Sequence, residues 1–86
     1  MNVRWKPSAL DQLADYYASL PLPEQRALAA TVERINAELA ADPLALGESR
    51  DSAGRRVWFP GPLVVIFRVE ARGVFVTHAR PQRSGD

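Results

Sequence analysis

Two tight turns divide residues 55–79 into three short apolar runs, and the positions of these turns strongly constrain the fold. A Pro-Gly-Pro sequence at 60–62 forms the first turn, and residues 70–73, which end in glycine, form the second. Turns this short join neighbouring antiparallel strands. The pattern therefore predicts a three-stranded antiparallel meander. Its middle strand, residues 63–69, is almost entirely apolar, which predicts a central strand covered on both faces.

The first half of the chain predicts one strand and two helices. Residues 2–6 alternate between apolar and polar side chains, as in a short strand. Apolar residues then recur every three or four positions over 8–20 and over 23–41, with a proline-rich link between them. Ser8 is the predicted N-cap of the first helix, and Asp11 is the acidic partner of a capping box. The short link predicts an antiparallel helix hairpin.

The order of these elements predicts an α+β fold of the type β-α-α-β-β-β. The helix hairpin should pack on a small, mainly antiparallel four-stranded sheet, with the first strand at an edge. Residues 44–54 are predicted to be a loop, and residues 80–86 a mobile basic tail. All 86 residues are predicted to form a single domain, because either half alone is too short to bury a core.

Composition excludes several classes of protein. The chain has no cysteine, which rules out a disulfide framework and thiolate chemistry. Residues 1–7 carry charge and a proline where a signal peptide would be apolar, and no segment approaches the roughly 20 apolar residues of a membrane span. One histidine and scattered carboxylates do not form a metal-ligand set, so neither a metal nor another cofactor is predicted. We expect a cytoplasmic protein without a membrane partner.

Charge is distributed unevenly along the chain. Residues 1–48 hold four basic and seven acidic side chains, a net of −3, whereas residues 49–86 hold seven basic and three acidic ones, a net of +4. All seven basic residues of the second part are arginines, whose planar donors suit phosphates and carboxylates. The second half therefore favours a nucleic acid or an acidic protein as its partner.

Four segments in this order resemble the RelE/ParE superfamily of bacterial toxins, which includes the plasmid stabilisation proteins. VRWKPSALDQL at 3–13 is similar to the opening strand and helix start of the family, and ADPLALGE at 41–48 is similar to its loop after the second helix. VVIFRVE at 64–70 and VFVTHAR at 74–80 resemble its last two strands. The resemblance covers most of the chain.

This resemblance implies the toxin of a type II toxin–antitoxin system, neutralised by a cognate antitoxin through which an oligomer could form. The RelE branch implies an mRNA interferase that binds RNA in the ribosome and cleaves it without a metal. The ParE branch implies an inhibitor of DNA gyrase without RNase activity. A third alternative is a degenerate toxin fold that only binds its partner. In each case the antitoxin is expected at a sheet edge or in the helix groove.

His78, the only histidine, is the first candidate for catalysis, because an imidazole exchanges protons near neutral pH. It lies near two arginines of the basic terminus, and the resulting predicted catalytic group is His78, Arg80 and Arg83. Four further arginines are predicted to bind the substrate: Arg50, Arg55, Arg56 and Arg68. No metal ligand is predicted. The sequence leaves open whether the chain is an enzyme.

Strand alternation sets conditions on this group. Arg55 and Arg56 are consecutive in a strand, so they must point to opposite faces, and the sequence does not say which of them faces the substrate. Arg68 and His78 share a face only if the turn pairs even-numbered residues with even ones, for example Arg68 with Val74. A shift of one residue separates them.

The chain also departs from the pattern of active RelE enzymes. Lys6 is its sole lysine, and the six residues after Arg80 contain no tyrosine, histidine or lysine. Val64 or Val65 stands where these enzymes often carry an arginine. The RNase set implied by the family is therefore incomplete, which keeps the gyrase and binding-only alternatives open.

Overall fold

The computed structural model describes residues 1–50 and 54–82, which form two α-helices and five strands. The first half holds one strand, both helices and a short 3₁₀ turn: β1 (Val3–Trp5), α1 (Pro7–Ala18), α2 (Leu22–Ala41) and the turn Pro43–Ala45. The second half holds the other strands: β2 (Glu48–Ser49), β3 (Arg55–Trp58), β4 (Leu63–Glu70) and β5 (Gly73–Pro81). The predicted α+β class with two helices is confirmed, whereas the predicted order β-α-α-β-β-β lacks the strand β2.

The strands form one sheet in the order β1-β5-β4-β3-β2. The meander of β3, β4 and β5 is antiparallel, as predicted, and β1 lies at an edge, parallel to β5. The predicted count of four strands is wrong, because β2 forms within the predicted loop 44–54 and pairs with β3 at the opposite edge. A strand of two residues is too short to show an alternating pattern in sequence.

One face of the sheet carries the core. The odd-numbered residues of β4 point toward the helix hairpin, and Leu63, Val65 and Phe67 are fully buried there. Ile35 and Leu39 of α2 belong to the same buried cluster. Apolar burial contributes most of the stability of a domain this small. The covered face of the sheet is therefore structural.

Among the residues that the structure describes, no helix packs on the opposite face, here called the open face. β4 is the central strand, but its even-numbered residues Val64 and Ile66 are only half-buried. The prediction that this strand is covered on both faces is therefore wrong.

Helix α1 begins one residue earlier than the sequence pattern predicts. Pro7 occupies its first turn and Lys6 is the N-cap, without a capping side-chain hydrogen bond. Proline favours this first position, because its φ angle is already helical and its missing N–H would have no partner there. The Ser8 hydroxyl instead donates to the Thr77 carbonyl at 3.1 Å, so the predicted N-cap and its capping box with Asp11 are wrong.

Side chains of α1 also complete the edge of β5 beyond the end of β1. The Lys6 amide donates to the Val76 carbonyl at 2.9 Å, which is the last backbone bond between the two segments. The Gln12 side-chain carbonyl then accepts from the Ala79 amide at 3.0 Å. Helix α1 is therefore fixed to β5 by hydrogen bonds as well as by packing.

The two helices form the predicted hairpin. Tyr16 of α1 is half-buried against the core, whereas Tyr17 is 42% exposed. Neither helix in the described part of the chain has both the length and the apolar character that crossing a bilayer requires.

Candidate functional site

A row of arginines crosses one end of the open face. Arg68 on β4 is opposite Phe75 on β5 and opposite Arg55 on β3. The row extends to β1, where Arg4 is opposite Phe75, and to the residue after β2, where the Arg50 amide donates to the Arg55 carbonyl at 2.9 Å. Neighbouring strands lie about 4.8 Å apart, so Arg68, Arg55 and Arg50 form a basic band. Phe75 separates this band from Arg4.

A β-bulge places His78 on the same face as Arg68. Near the turn, Arg68 pairs with Phe75, which is an even-to-odd register and not the even-to-even register that the sequence analysis required. The register then shifts, so that Ile66 pairs with His78. Thr77 is the extra residue of this bulge. Because of that one residue, Arg68 and His78 share the open face, although Val74 is not the partner of Arg68.

Arg80 follows His78 on the open face. It pairs with Val64 of β4, two residues along the strand from the pair of His78 with Ile66. Side chains two residues apart in a strand point the same way and lie about 7 Å apart. β5 continues to Pro81, so Arg80 belongs to a strand and not to the predicted mobile tail. Arg83, the third predicted catalytic residue, lies outside the described residues.

The Thr77 hydroxyl holds the ring of His78. It lies 3.2 Å from the Ile66 carbonyl oxygen, to which it can donate. His78 Nδ1 lies 3.1 Å from the same hydroxyl oxygen. In the tautomer with the hydrogen on Nδ1, Nδ1 donates to this oxygen and Nε2 keeps a lone pair that can accept a proton.

Arg55 and Arg56 separate as predicted, and the structure shows that Arg55 is the one on the open face. Arg56 turns toward the segment before β2, where its Nε donates to the Leu46 carbonyl at 2.9 Å. Its Nη2 donates to the carbonyls of Leu44 and Gly47, each at 3.2 Å. Arg56 therefore joins β3 to this segment and lies away from the other predicted substrate-binding arginines.

We expect Arg56→Met to lower the free energy of unfolding by about 2 kcal/mol, because three carbonyls lose a charged donor while the apolar stem is kept. Urea unfolding followed by circular dichroism measures this change. Arg34→Met, at an exposed arginine of α2, is the matched control and should change stability by less than about 0.5 kcal/mol. Equal losses in both variants would contradict the bridging role of Arg56.

Arg4, Phe75 and the turn residue Arg72 are not among the residues predicted from the sequence to form the site. They line a small cavity at the end of the arginine row. Arg4 alternates with Val3 and Trp5, so its sequence indicates only that it faces away from them. The missing information is the pairing of β1 with β5, which are about 70 positions apart in the chain.

A second candidate surface is an apolar groove between α1 and α2, of about 540 Å³. Volumes of about 300–1,000 Å³ are typical of ligand-binding clefts. Leu10 and Tyr17 of α1 line it although they are 49% and 42% exposed, and Ala29 and Val32 line it from α2. Exposed apolar side chains around a groove are typical of a protein interaction site. The groove can accept the apolar face of a helix.

The open face holds two kinds of group that metal-free phosphodiester cleavage uses, a base and a cation. His78 Nε2 can take a proton from a hydroxyl, and the guanidinium of Arg80 can stabilise the charge that develops on a phosphate. Among the described residues no three histidine or carboxylate side chains are grouped as metal ligands would be.

No protein-family model matches the sequence, and no curated protein sequence matches it. Solved structures do match. The chromosomal ParDE toxin–antitoxin system of P. aeruginosa contains a chain with a TM-score of 0.74 and 21% identity, and the match covers 96% of this chain and 97% of that one. The RelBE2 toxin–antitoxin complex of Mycobacterium tuberculosis contains a chain with a TM-score of 0.71 and 25% identity, covering 94% and 96% of the two chains. The resemblance predicted from the sequence is thus confirmed, and the chain has the fold of the RelE/ParE toxin superfamily.

Proposed function

We propose that this chain is the toxin component of a type II toxin–antitoxin system and that it cleaves mRNA on the ribosome without a metal ion. The observation that carries the proposal is the grouping of His78 with Arg68 and Arg80 on one open face of a toxin fold. An inhibitor of DNA gyrase could have the same fold, but it would not need an imidazole beside arginines. The face therefore favours RNA chemistry over gyrase binding.

In this proposal His78 is the general base. Its Nε2 takes the proton of a ribose 2′-hydroxyl, whose oxygen then attacks the adjacent phosphate and forms a 2′,3′-cyclic phosphate. The bond from phosphorus to the 5′-oxygen breaks at the same time, and this oxygen takes a proton from the imidazolium or from water and leaves as a 5′-hydroxyl. The bulge hydroxyl of Thr77 holds the ring through Nδ1 and keeps Nε2 available. Arg80 lies beside it on β5 and stabilises the negative charge that the phosphate gains. Arg68, diagonally across from His78 at about 7–8 Å, binds the RNA backbone on the other side.

The partner that neutralises the toxin is a cognate antitoxin, and we place an amphipathic helix of it in the groove between α1 and α2. The apolar lining and the exposure of Leu10 and Tyr17 support this choice. The two similar structures both come from toxin–antitoxin systems, which supports an antitoxin as the occupant. A helix in a groove contributes affinity through a few apolar anchors spaced three or four residues apart.

Induced expression in a bacterial host, with and without the neighbouring open reading frame, tests the proposal. We expect growth arrest with cut mRNA, relieved when the neighbouring product is co-expressed. Arrest with intact mRNA and gyrase-dependent DNA damage would replace the RNase activity with gyrase inhibition. No arrest at all would leave a toxin fold that has lost its toxicity.

We expect Ala29→Arg to weaken binding of the co-purified antitoxin by on the order of 100-fold, because a long charged side chain then occupies the apolar groove. Calorimetric titration with the product of the neighbouring frame measures the change in Kd. Ala37→Arg is the matched control, because it places the same side chain at another exposed alanine of α2, outside the groove lining. Unchanged affinity in Ala29→Arg would show that the antitoxin binds elsewhere.

A further inference from the structure

Three side chains enclose a second small site at the β1 edge of the open face. Arg4 of β1, Arg72 of the turn before β5 and Phe75 of β5 line a cavity of about 110 Å³. This volume lies well below the 300 Å³ at which clefts for whole small molecules begin. The cavity therefore suits one compact group, such as a single phosphate, and not a complete small ligand.

The backbone holds this site in place. Arg4 is paired with Phe75, and the Val74 amide donates to the Asn2 carbonyl at 2.8 Å. Gly73 has a φ of +142°, and a Cβ there would lie 2.5 Å from the Asn2 oxygen. Only glycine allows the turn to approach the start of β1 so closely. This close approach brings Arg72 beside Arg4.

The site is lined by two positively charged side chains and by no carboxylate of the described residues. Within residues 1–50 and 54–82, neither Arg4 nor Arg72 is in an ion pair or a side-chain hydrogen bond. The nearby carboxylate of Glu70 lies 4.0 Å from Arg68 and does not line the cavity. Both arginines line the same cavity, and the planar donors of a guanidinium group match phosphate oxygens.

Phe75, the third residue that lines the cavity, distinguishes between a phosphate of a nucleotide and a carboxylate of a protein. Phe75 is half-buried on the open face and lies between Arg4 of β1 and Arg68 of β4. An aromatic face beside arginines is the arrangement that stacks an unpaired base while its phosphate is bound. An acidic peptide gains no comparable contact from Phe75. Phe75 therefore favours a nucleotide of a single strand over a carboxylate of a protein.

We propose that Arg4 and Arg72 bind one phosphate of a single-stranded RNA and that Phe75 stacks an adjacent base. Phe75 pairs with Arg68 and His78 pairs with Ile66, two residues apart on β4, so the bulge leaves Phe75 and His78 about 7 Å apart on the same face. The site therefore holds the strand on the face that carries the proposed cleavage group. The proposal rests on the proposed function in taking RNA as the ligand, but it concerns binding and not cleavage.

Fluorescence anisotropy with a labelled, 2′-O-methylated single-stranded oligoribonucleotide tests it, because the 2′-O-methyl group prevents cleavage. We expect the Arg4→Met/Arg72→Met double variant to bind about 10-fold more weakly, with the slope of log K against log salt reduced by about 0.7, the value for one lost phosphate contact on a single strand. Phe75→Leu should weaken binding by about 10-fold without changing that slope.

The control is the Arg26→Met/Arg34→Met double variant, which removes the same charge from exposed positions on α2. Equal losses in the two double variants would overturn the proposal in favour of diffuse attraction. The single variant Arg72→Met changes only an exposed turn and leaves β1 intact, so a folding defect at β1 cannot explain its behaviour. It should show part of the loss of RNA binding that the double variant shows.

Two further outcomes separate this proposal from the proposed function, and a third would overturn it. If the wild type cuts mRNA but the Arg4 and Arg72 variants bind the oligonucleotide normally, the phosphate site is wrong and the RNase proposal stands. If the wild type cuts nothing but the specific loss of binding is found, the site stands and the RNase proposal fails. If these substitutions weaken only the antitoxin complex, the cavity binds an acidic protein segment and the RNA proposal is overturned.

Discussion

We expect His78→Ala to slow RNA cleavage by the purified toxin by about 10²–10⁴-fold, the usual contribution of a general acid or base. The substitution removes Nε2, the proposed proton acceptor, and leaves Arg68 and Arg80 in place. Single-turnover cleavage of ribosome-bound message measures the rate. Free imidazole added to the buffer should restore part of it, because the lost group is then supplied from solution.

Arg34→Ala is the control for this experiment, because its exposed side chain on α2 lies outside the site. It should cleave at the wild-type rate. Binding of a 2′-O-methylated oligonucleotide should change little in His78→Ala, since the arginines provide most of the attraction. Cleavage at the full rate in His78→Ala would show that another group removes the proton, and the role of the imidazole would then be discarded.

Phe67→Ala is expected to have the largest effect on stability, a loss of about 3–5 kcal/mol. Phe67 is fully buried in the centre of β4, against the helix hairpin, and its removal leaves a cavity between sheet and helices. A domain of this length has a total stability of about 4–13 kcal/mol, so the variant should approach unfolding at 25 °C. Urea unfolding monitored by circular dichroism measures the loss.

Phe59→Ala is the matched control, because the same side chain is removed from a position that is 52% exposed. Its expected effect is below about 1 kcal/mol, since little buried area is lost. If the two variants lost equal stability, the core would not be centred on β4 as the structure places it.

The order of elements could be predicted because prolines and glycines mark the turns. The proline-rich link between α1 and α2 and the turn at 60–62 are determined by their own residues. They could therefore be predicted from the sequence of the turn alone. Ser8 shows the limit of such rules, since Pro7 competed with it for the helix start and Ser8 bonded to a strand instead. Pro7 favours one start of the helix and Ser8 favours another, and the sequence alone does not show which start is adopted.

The candidate site was less predictable, because its assembly depends on pairings between distant segments. Arg68 and His78 share a face only through the bulge at Thr77, and no turn residue or periodicity indicates a bulge there. Arg4 entered the site only through the parallel pairing of β1 with β5. By contrast, the separation of Arg55 from Arg56 follows from alternation alone and was predicted correctly.

The hydrogen bonds from α1 to β5 have a consequence for self-association. An uncovered strand edge is a template for another chain, and long edges of this kind lead to aggregation. Here β5 extends well past the three residues of β1, but Ser8 and Gln12 bond to its carbonyl and amide groups there. The other edge is β2, with only two residues. The described residues therefore present little free strand edge at which another chain could add.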